Sequence, residues 1–153
     1  MLGWFKRKPE AFFSEEEKQR IVAAVQEAEQ RTSGEVRIYV ESRCRFVDPV
    51  MRARELFFAL KMDETEARNG VLVYVAMKDR QLAIYGDEGI HARVGHSFWN
   101  AEVQKMLSLF NRNDYAEGIT VIIREIGEAL VKHFPFNRET DTNELPDDIV
   151  FGR

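Results

Sequence analysis

Three carboxylates, Glu41, Asp79 and Asp114, stand where an α/β chain gathers ligands. Glu41 closes an alternating segment, Asp79 lies in a short turn, and Asp114 opens the last apolar-periodic stretch. Ligands of open α/β sheets bind beyond the carboxyl ends of parallel strands. If the third helix runs back to that edge, the three side chains converge there as oxygen ligands for Ca²⁺ or Mg²⁺, hard cations that favour carboxylates and water. Each also has an ordinary explanation. Asp79 suits a hairpin turn, Asp114 an N-cap and Glu41 a solvated strand end.

A second set, Arg68, Asn69, Asp87 and Glu88, brackets the central hairpin at its open end. An arginine beside carboxylates grips an anion through its planar fork, or fastens two loops as an ion pair. His91 and His96 suggest zinc with Asp87 or Glu88, but a five-residue spacing matches no single helical face, and the chain lacks the Cys/His density of a zinc site. Cys44 lies between Arg43 and Arg45, which favours a thiolate. A nucleophile also needs a base, and no histidine is near it in sequence. The chain contains no phosphate loop, Rossmann glycine fingerprint or serine elbow, so no nucleotide or organic cofactor is expected.

Both ends carry apolar residues of interest. Trp4 and Phe5 precede Lys6-Arg7-Lys8, a mix found in interfacial segments, though Pro9 cuts it short and a leader tucked onto the domain explains it equally. Leu145, Ile149, Val150 and Phe151 either pack back on the domain or form a motif that a protein partner captures as an added strand.

The elements that position these residues follow from caps and periodicity. Ser14 with Glu17 is a capping box, and Ile21, Val25 and Ala28 continue a helical stripe to about Arg31. From Glu35 the period becomes two: Val36, Ile38 and Val40 face one way, Arg37, Tyr39 and Glu41 the other. Asp48-Pro49 opens a second helix with Val50, Ala53, Phe57 and Leu60 on its stripe. The apolar run Val71–Ala76 suits a strand covered on both faces, parallel to the first by a right-handed crossover. Gln81–Tyr85 returns antiparallel, and Gly86-Asp87-Glu88-Gly89 breaks the chain. Trp99, Val103, Met106 and Phe110 mark a third helix; Tyr115, Ile119, Ile122, Ile126 and Leu130 mark a fourth, stopped at His133-Phe134-Pro135. The order α-β-α-β-β-α-α makes a small mixed sheet between helices, with a leader over 1–13, one domain over 14–135 and an extension over 136–153.

The bulk numbers agree. A chain of 153 residues, 44% hydrophobic and 31% charged, supports one globular core. A net charge of −4 offers no basic field for nucleic acid. The single cysteine, the absence of a basic-then-apolar leader and the lack of any run near ~20 apolar residues point to a cytoplasmic protein with no membrane span.

Several segments in order resemble the TPM domain family: Thr32-Ser33-Gly34-Glu35-Val36-Arg37, Arg68-Asn69-Gly70-Val71-Leu72-Val73, Lys78-Asp79-Arg80, Gly86-Asp87-Glu88-Gly89-Ile90 and Asp114-Tyr115-Ala116-Glu117-Gly118-Ile119. The family takes its name from a thylakoid-lumen phosphatase, a photosystem repair factor and an acetylcholine-receptor modulator. The resemblance implies a three-layer α/β/α sandwich, divalent-metal binding and a weak phosphatase activity. The extension Asn143–Phe151 resembles a cytoplasmic bacterial subgroup; that tail and the lack of a strong nucleophile–base pair favour a binding or assembly module acting on other proteins, with a weak metal-dependent phosphatase acting on phosphomonoesters as the alternative.

Overall fold

The computed structural model describes residues 9–45, 48–137 and 148–152. A 3-10 turn, Pro9–Phe12, leads into α1 (Glu15–Glu29). The Ser14 hydroxyl accepts from the Glu17 N–H (3.1 Å) while the Glu17 carboxylate accepts from the Ser14 N–H (2.9 Å). This reciprocal box satisfies two of the free amides at the helix start. Phe13 is buried just before it, so folded structure begins ahead of Ser14.

β1 (Glu35–Glu41), α2 (Pro49–Ala59) and β2 (Gly70–Ala76) form the expected crossover. β1 and β2 run parallel, in register from Glu35 with Gly70 to Glu41 with Ala76. α2 starts where the Asp48 carboxylate accepts from the Val50 N–H (2.9 Å) and Pro49 takes the first helical position. Every residue of β2 is buried, because helices cover both of its faces. β3 (Gln81–Gly86) returns antiparallel to β2. α3 (Glu88–Phe110), α4 (Tyr115–His133) and a short β4 (Ile149–Phe151) complete the chain.

The sheet order is β3-β2-β1-β4. Period two sorts its side chains onto two cores. Val36, Ile38, Val40, Val71, Val73 and Val75 pack with α1, α3 and α4; Leu72, Tyr74, Ala76 and Ala83 pack with Ala53, Leu56 and Phe57 of α2. The result is a three-layer α/β fold. Ile119, Ile122, Ile126 and Leu130 of α4 are fully buried, each worth roughly 1.5–3 kcal/mol of transfer free energy.

Two expectations change. The sheet has four strands among the described residues, because Ile149, Val150 and Phe151 pair in parallel with Ile38, Tyr39 and Val40. The Gly152 N–H continues that ladder to the Val40 carbonyl (2.8 Å). Packing is therefore what these three residues do; Leu145, Trp4 and Phe5 lie outside the described residues. The third helix also starts well before Trp99. Asp87 caps it, and Gly95 interrupts it with a non-helical backbone (φ 78°, ψ 173°). The interruption shifts the apolar stripe, so periodicity reveals only the half beyond it.

Candidate functional site

β1 sends Tyr39 and Glu41 to the α2 side of the sheet, but α2 packs chiefly over β2 and β3. The carboxyl end of β1 is left as the floor of a cleft of about 740 Å³. Its walls are the loop Arg43–Arg45, the turn at Lys78-Asp79, Arg52 from α2 and Gly152 at the end of β4. Glycine is required there, since a Cβ on Gly152 would collide with the Tyr39 ring. Four cations, Arg43, Arg45, Arg52 and Lys78, face two carboxylates, Glu41 and Asp79. The cleft is locally cationic in a chain of net charge −4.

Both carboxylates are already engaged. Glu41, 4% exposed, accepts from Arg52 Nε and Nη2 at 2.9 Å each, a bidentate pair. The Tyr74 hydroxyl donates to its Oε2. The bond to Glu41 raises the Arg52 pKa further above its ordinary value. Burial, then the bond to Glu41, raises that of Tyr74, so the phenol stays a proton donor. Asp79 accepts from Arg43 Nη1 (3.0 Å) and from the Cys44 N–H (2.7 Å), tying the two loops together. The half-buried Cys44 thiol reaches the Tyr74 hydroxyl. No histidine lines the cleft among the described residues.

Asp114 does not join Glu41 and Asp79. It caps α4 by position, its side chain makes no capping bond, and it stands exposed. α4 packs on the opposite face of the sheet from Glu41, which keeps the two apart. Among the described residues no group of three or more His, Cys, Asp or Glu side chains is placed to hold a metal ion. A Ca²⁺ or Mg²⁺ at Glu41 must first displace Arg52, so the residues do not form a ready cage for either cation.

At the amino edge, Arg68, Asp87 and Glu88 do meet. Arg68 Nε and Nη2 donate to the two Asp87 oxygens (2.7 and 2.9 Å), and Nη1 lies 3.1 Å from Glu88. Asp87, 2% exposed, also accepts from the Glu88 N–H (2.8 Å) at the head of α3. Asn69 is turned away, its amide donating to the Ser33 hydroxyl (3.2 Å). Gly89 lets α3 sit directly on this loop, since a Cβ there would overlap the Ala67 carbonyl. The cluster fastens α3 to the entrance of β2.

The spacing argument against His91 and His96 meeting is overturned. The break at Gly95 brings their rings to 4.9 Å between centroids, edge to face. The Trp99 indole N–H donates to His91 Nδ1 (3.0 Å). Indole is donor only, so His91 carries its proton on Nε2.

One group escaped the sequence reading. Glu102 of α3, 4% exposed, has one oxygen without a partner. Burial, reinforced by a hydrogen bond shared with Glu125 of α4, pushes its carboxyl up to about 7. Lys105 holds Glu125 at 2.6 Å, and the Glu125 pKa is lowered by that bond and the one to Glu102 against its own partial burial. Its signal was position: Glu102 shares the helical face of Trp99 and Met106.

Residues 7–129 match the family described as the TPM domain. The BA42 protein of the psychrophilic bacterium Bizionia argentinensis, solved by NMR, is 39% identical, with 91% of this chain and 94% of that chain covered and a TM-score of 0.83. The N-terminal domain of the cg2496 protein from Corynebacterium glutamicum is 17% identical over 77% of this chain and 74% of that one, with a TM-score of 0.59, a likeness of fold alone. No curated protein matches.

Proposed function

The chain belongs to the TPM domain family, and from that premise we propose that it is a binding module whose carboxyl-edge cleft grips an anionic group on a partner protein. The observation that carries this reading is the surplus of cations in the cleft. Guanidinium groups take phosphate or carboxylate through paired, charge-assisted bonds. The cleft also lies where open α/β sheets hold ligands.

The same geometry weighs against efficient phosphatase chemistry. Hydrolysis of a phosphomonoester recruits an activated nucleophile and usually a metal ion. Here Tyr74 holds its proton, Glu41 is engaged by Arg52, and among the described residues the cleft has no histidine to activate Cys44. The net charge of −4 supports a protein rather than a nucleic-acid partner. No helix among the described residues is long and apolar enough to cross a membrane. That, with the single cysteine, supports the cytoplasmic reading.

Phosphoserine titrated into ¹⁵N-labelled protein should shift the amides of Ser42 to Arg45 and Lys78. Arg43→Ala with Lys78→Ala should weaken binding at least about tenfold, since a bond to a charged group contributes roughly 1.5–3 kcal/mol. Parallel assays with p-nitrophenyl phosphate, with and without Ca²⁺ or Mg²⁺, decide the enzyme question. Turnover that disappears in the double variant would replace the module with a phosphatase.

A further inference from the structure

We infer that acid loosens α3 at Gly95, a hinge that the hydrogen bond between His91 and Trp99 latches in place. Residues eight apart in an unbroken helix stand about 12 Å from each other along its axis. Here the Trp99 indole N–H donates to His91 Nδ1 at 3.0 Å. The break at Gly95, with φ 78°, brings the two side chains within reach, in a conformation glycine adopts without the penalty of a Cβ. Nothing lies within 4 Å of where a Cβ on Gly95 would stand, so no neighbouring atom buttresses the break on that side. Side-chain contacts span it instead: the His91–Trp99 bond, and the His91 and His96 rings 4.9 Å apart.

The bond and a second proton on His91 exclude each other. Indole nitrogen only donates, so Nδ1 must keep its lone pair, whereas a protonated imidazole donates from both nitrogens. Acid therefore turns one N–H against another. Trp99 is buried, and its ring rests on Gly86, where a Cβ would collide with it. A buried N–H without an acceptor is costly, so one of the two side chains must shift. Histidine is the side chain whose charge ordinarily changes between pH 5 and 8. The latch is closed at the upper end of that range and open at the lower.

His91 is half-buried and lines an open trough of about 610 Å³, through which protons reach it. Asp87, Glu88 and His96 share that trough from the α3 side. Asp48 and Arg54 face it from α2, Arg68 from ahead of β2 and Tyr85 from β3. Asp87 and Glu88 are taken by Arg68, and Asp48 by the Val50 N–H. Arg54, and His96 once charged, repel an imidazolium, so the released His91 turns outward to water. The latch is separate from the carboxyl-edge cleft and does not depend on what the cleft binds.

The test uses the full ¹⁵N-labelled chain with Trp4→Phe, so that the remaining indole of the two reports on Trp99. At pH 8 the His91 imidazole nitrogens should show the proton on Nε2. Lowering the pH to 5 should add one on Nδ1 and move the Trp99 indole resonance with it. His91→Phe removes the acceptor. At pH 8 its indole should already resonate at the released position and exchange its proton roughly fivefold faster than in the parent. Neither this variant nor His91→Asn, which cannot ionise, should show movement of the indole with pH. His96→Phe should leave the transition in place. Four results would overturn the inference: a proton on His91 Nδ1 at pH 8, a His91 still neutral at pH 5, an indole that moves with pH in either His91 variant, or a transition abolished by His96→Phe.

Discussion

Glu102 makes folding depend on pH in a window set by two carboxyl values. An ordinary glutamate releases its proton near 4.5, whereas the folded chain holds that of Glu102 to about 7. Between those values the folded state keeps a proton that the unfolded chain has lost, so stability falls as pH rises and levels off above 7. A change of that size corresponds to about 3 kcal/mol at most, and about 2 kcal/mol after allowing for local relaxation. Glu125, held low by Lys105 and Glu102, acts in the other window: its contribution is present above 4.5 and is lost as pH falls through its depressed value. Arg93, Glu128, Lys132 and His133 line the same surface cleft and are present in both proteins compared. The comparison is Glu102→Gln against the parent, by urea unfolding from pH 5 to pH 8. The amide keeps the shape and the bond to Glu125 but cannot ionise. The two proteins should match near pH 5, and the variant should gain about 2 kcal/mol by pH 8, or roughly 4–8 °C in Tm for a chain of this size. Parallel curves across the range would show that burial does not hold the Glu102 proton.

Two further outcomes test the framework around the sites. Arg68→Ala leaves the buried Asp87 without its counter-charge, which should lower the urea midpoint of unfolding; an unchanged midpoint would mean that the α3 N-terminus alone satisfies the carboxylate. Deleting the chain from Asn143 onward removes the β4 pairing and the buried Ile149. It should lower stability by roughly 2–4 kcal/mol, and an unchanged melting point would mean that the strand contributes nothing to the fold.

Legibility in the sequence followed the range of the interactions concerned. Val71–Ala76 reads as an interior strand because both faces need apolar side chains, and the α1 boundary reads from Ser14 and Glu17 because a capping box closes within one turn. β4 is a distant pairing, and nothing local in Ile149-Val150-Phe151 names β1 as its neighbour. Gly95 shows why spacing misleads: one residue with positive φ invalidated the geometry assumed for His91 and His96. For Asp114 the convergence was argued from the sheet edge alone, without regard to the face. Period two already placed Glu41 opposite Val40, and it is the Val40 face that α4 covers.

Two bidentate pairs of the same type, Arg52 with Glu41 and Arg68 with Asp87, sit at opposite edges of the sheet. Desolvation offsets much of the attraction in such pairs, so what they chiefly fix is geometry. Surroundings separate their roles. Asp87 gives its remaining capacity to the head of α3, and Glu88 takes the rest of Arg68, so this cluster has little left for a ligand. Glu41 and Arg52 border an open cleft with three more cations around it. In the anion-binding reading proposed above, the pair is a fixed wall that holds one guanidinium in place and keeps the carboxylate from repelling the anion.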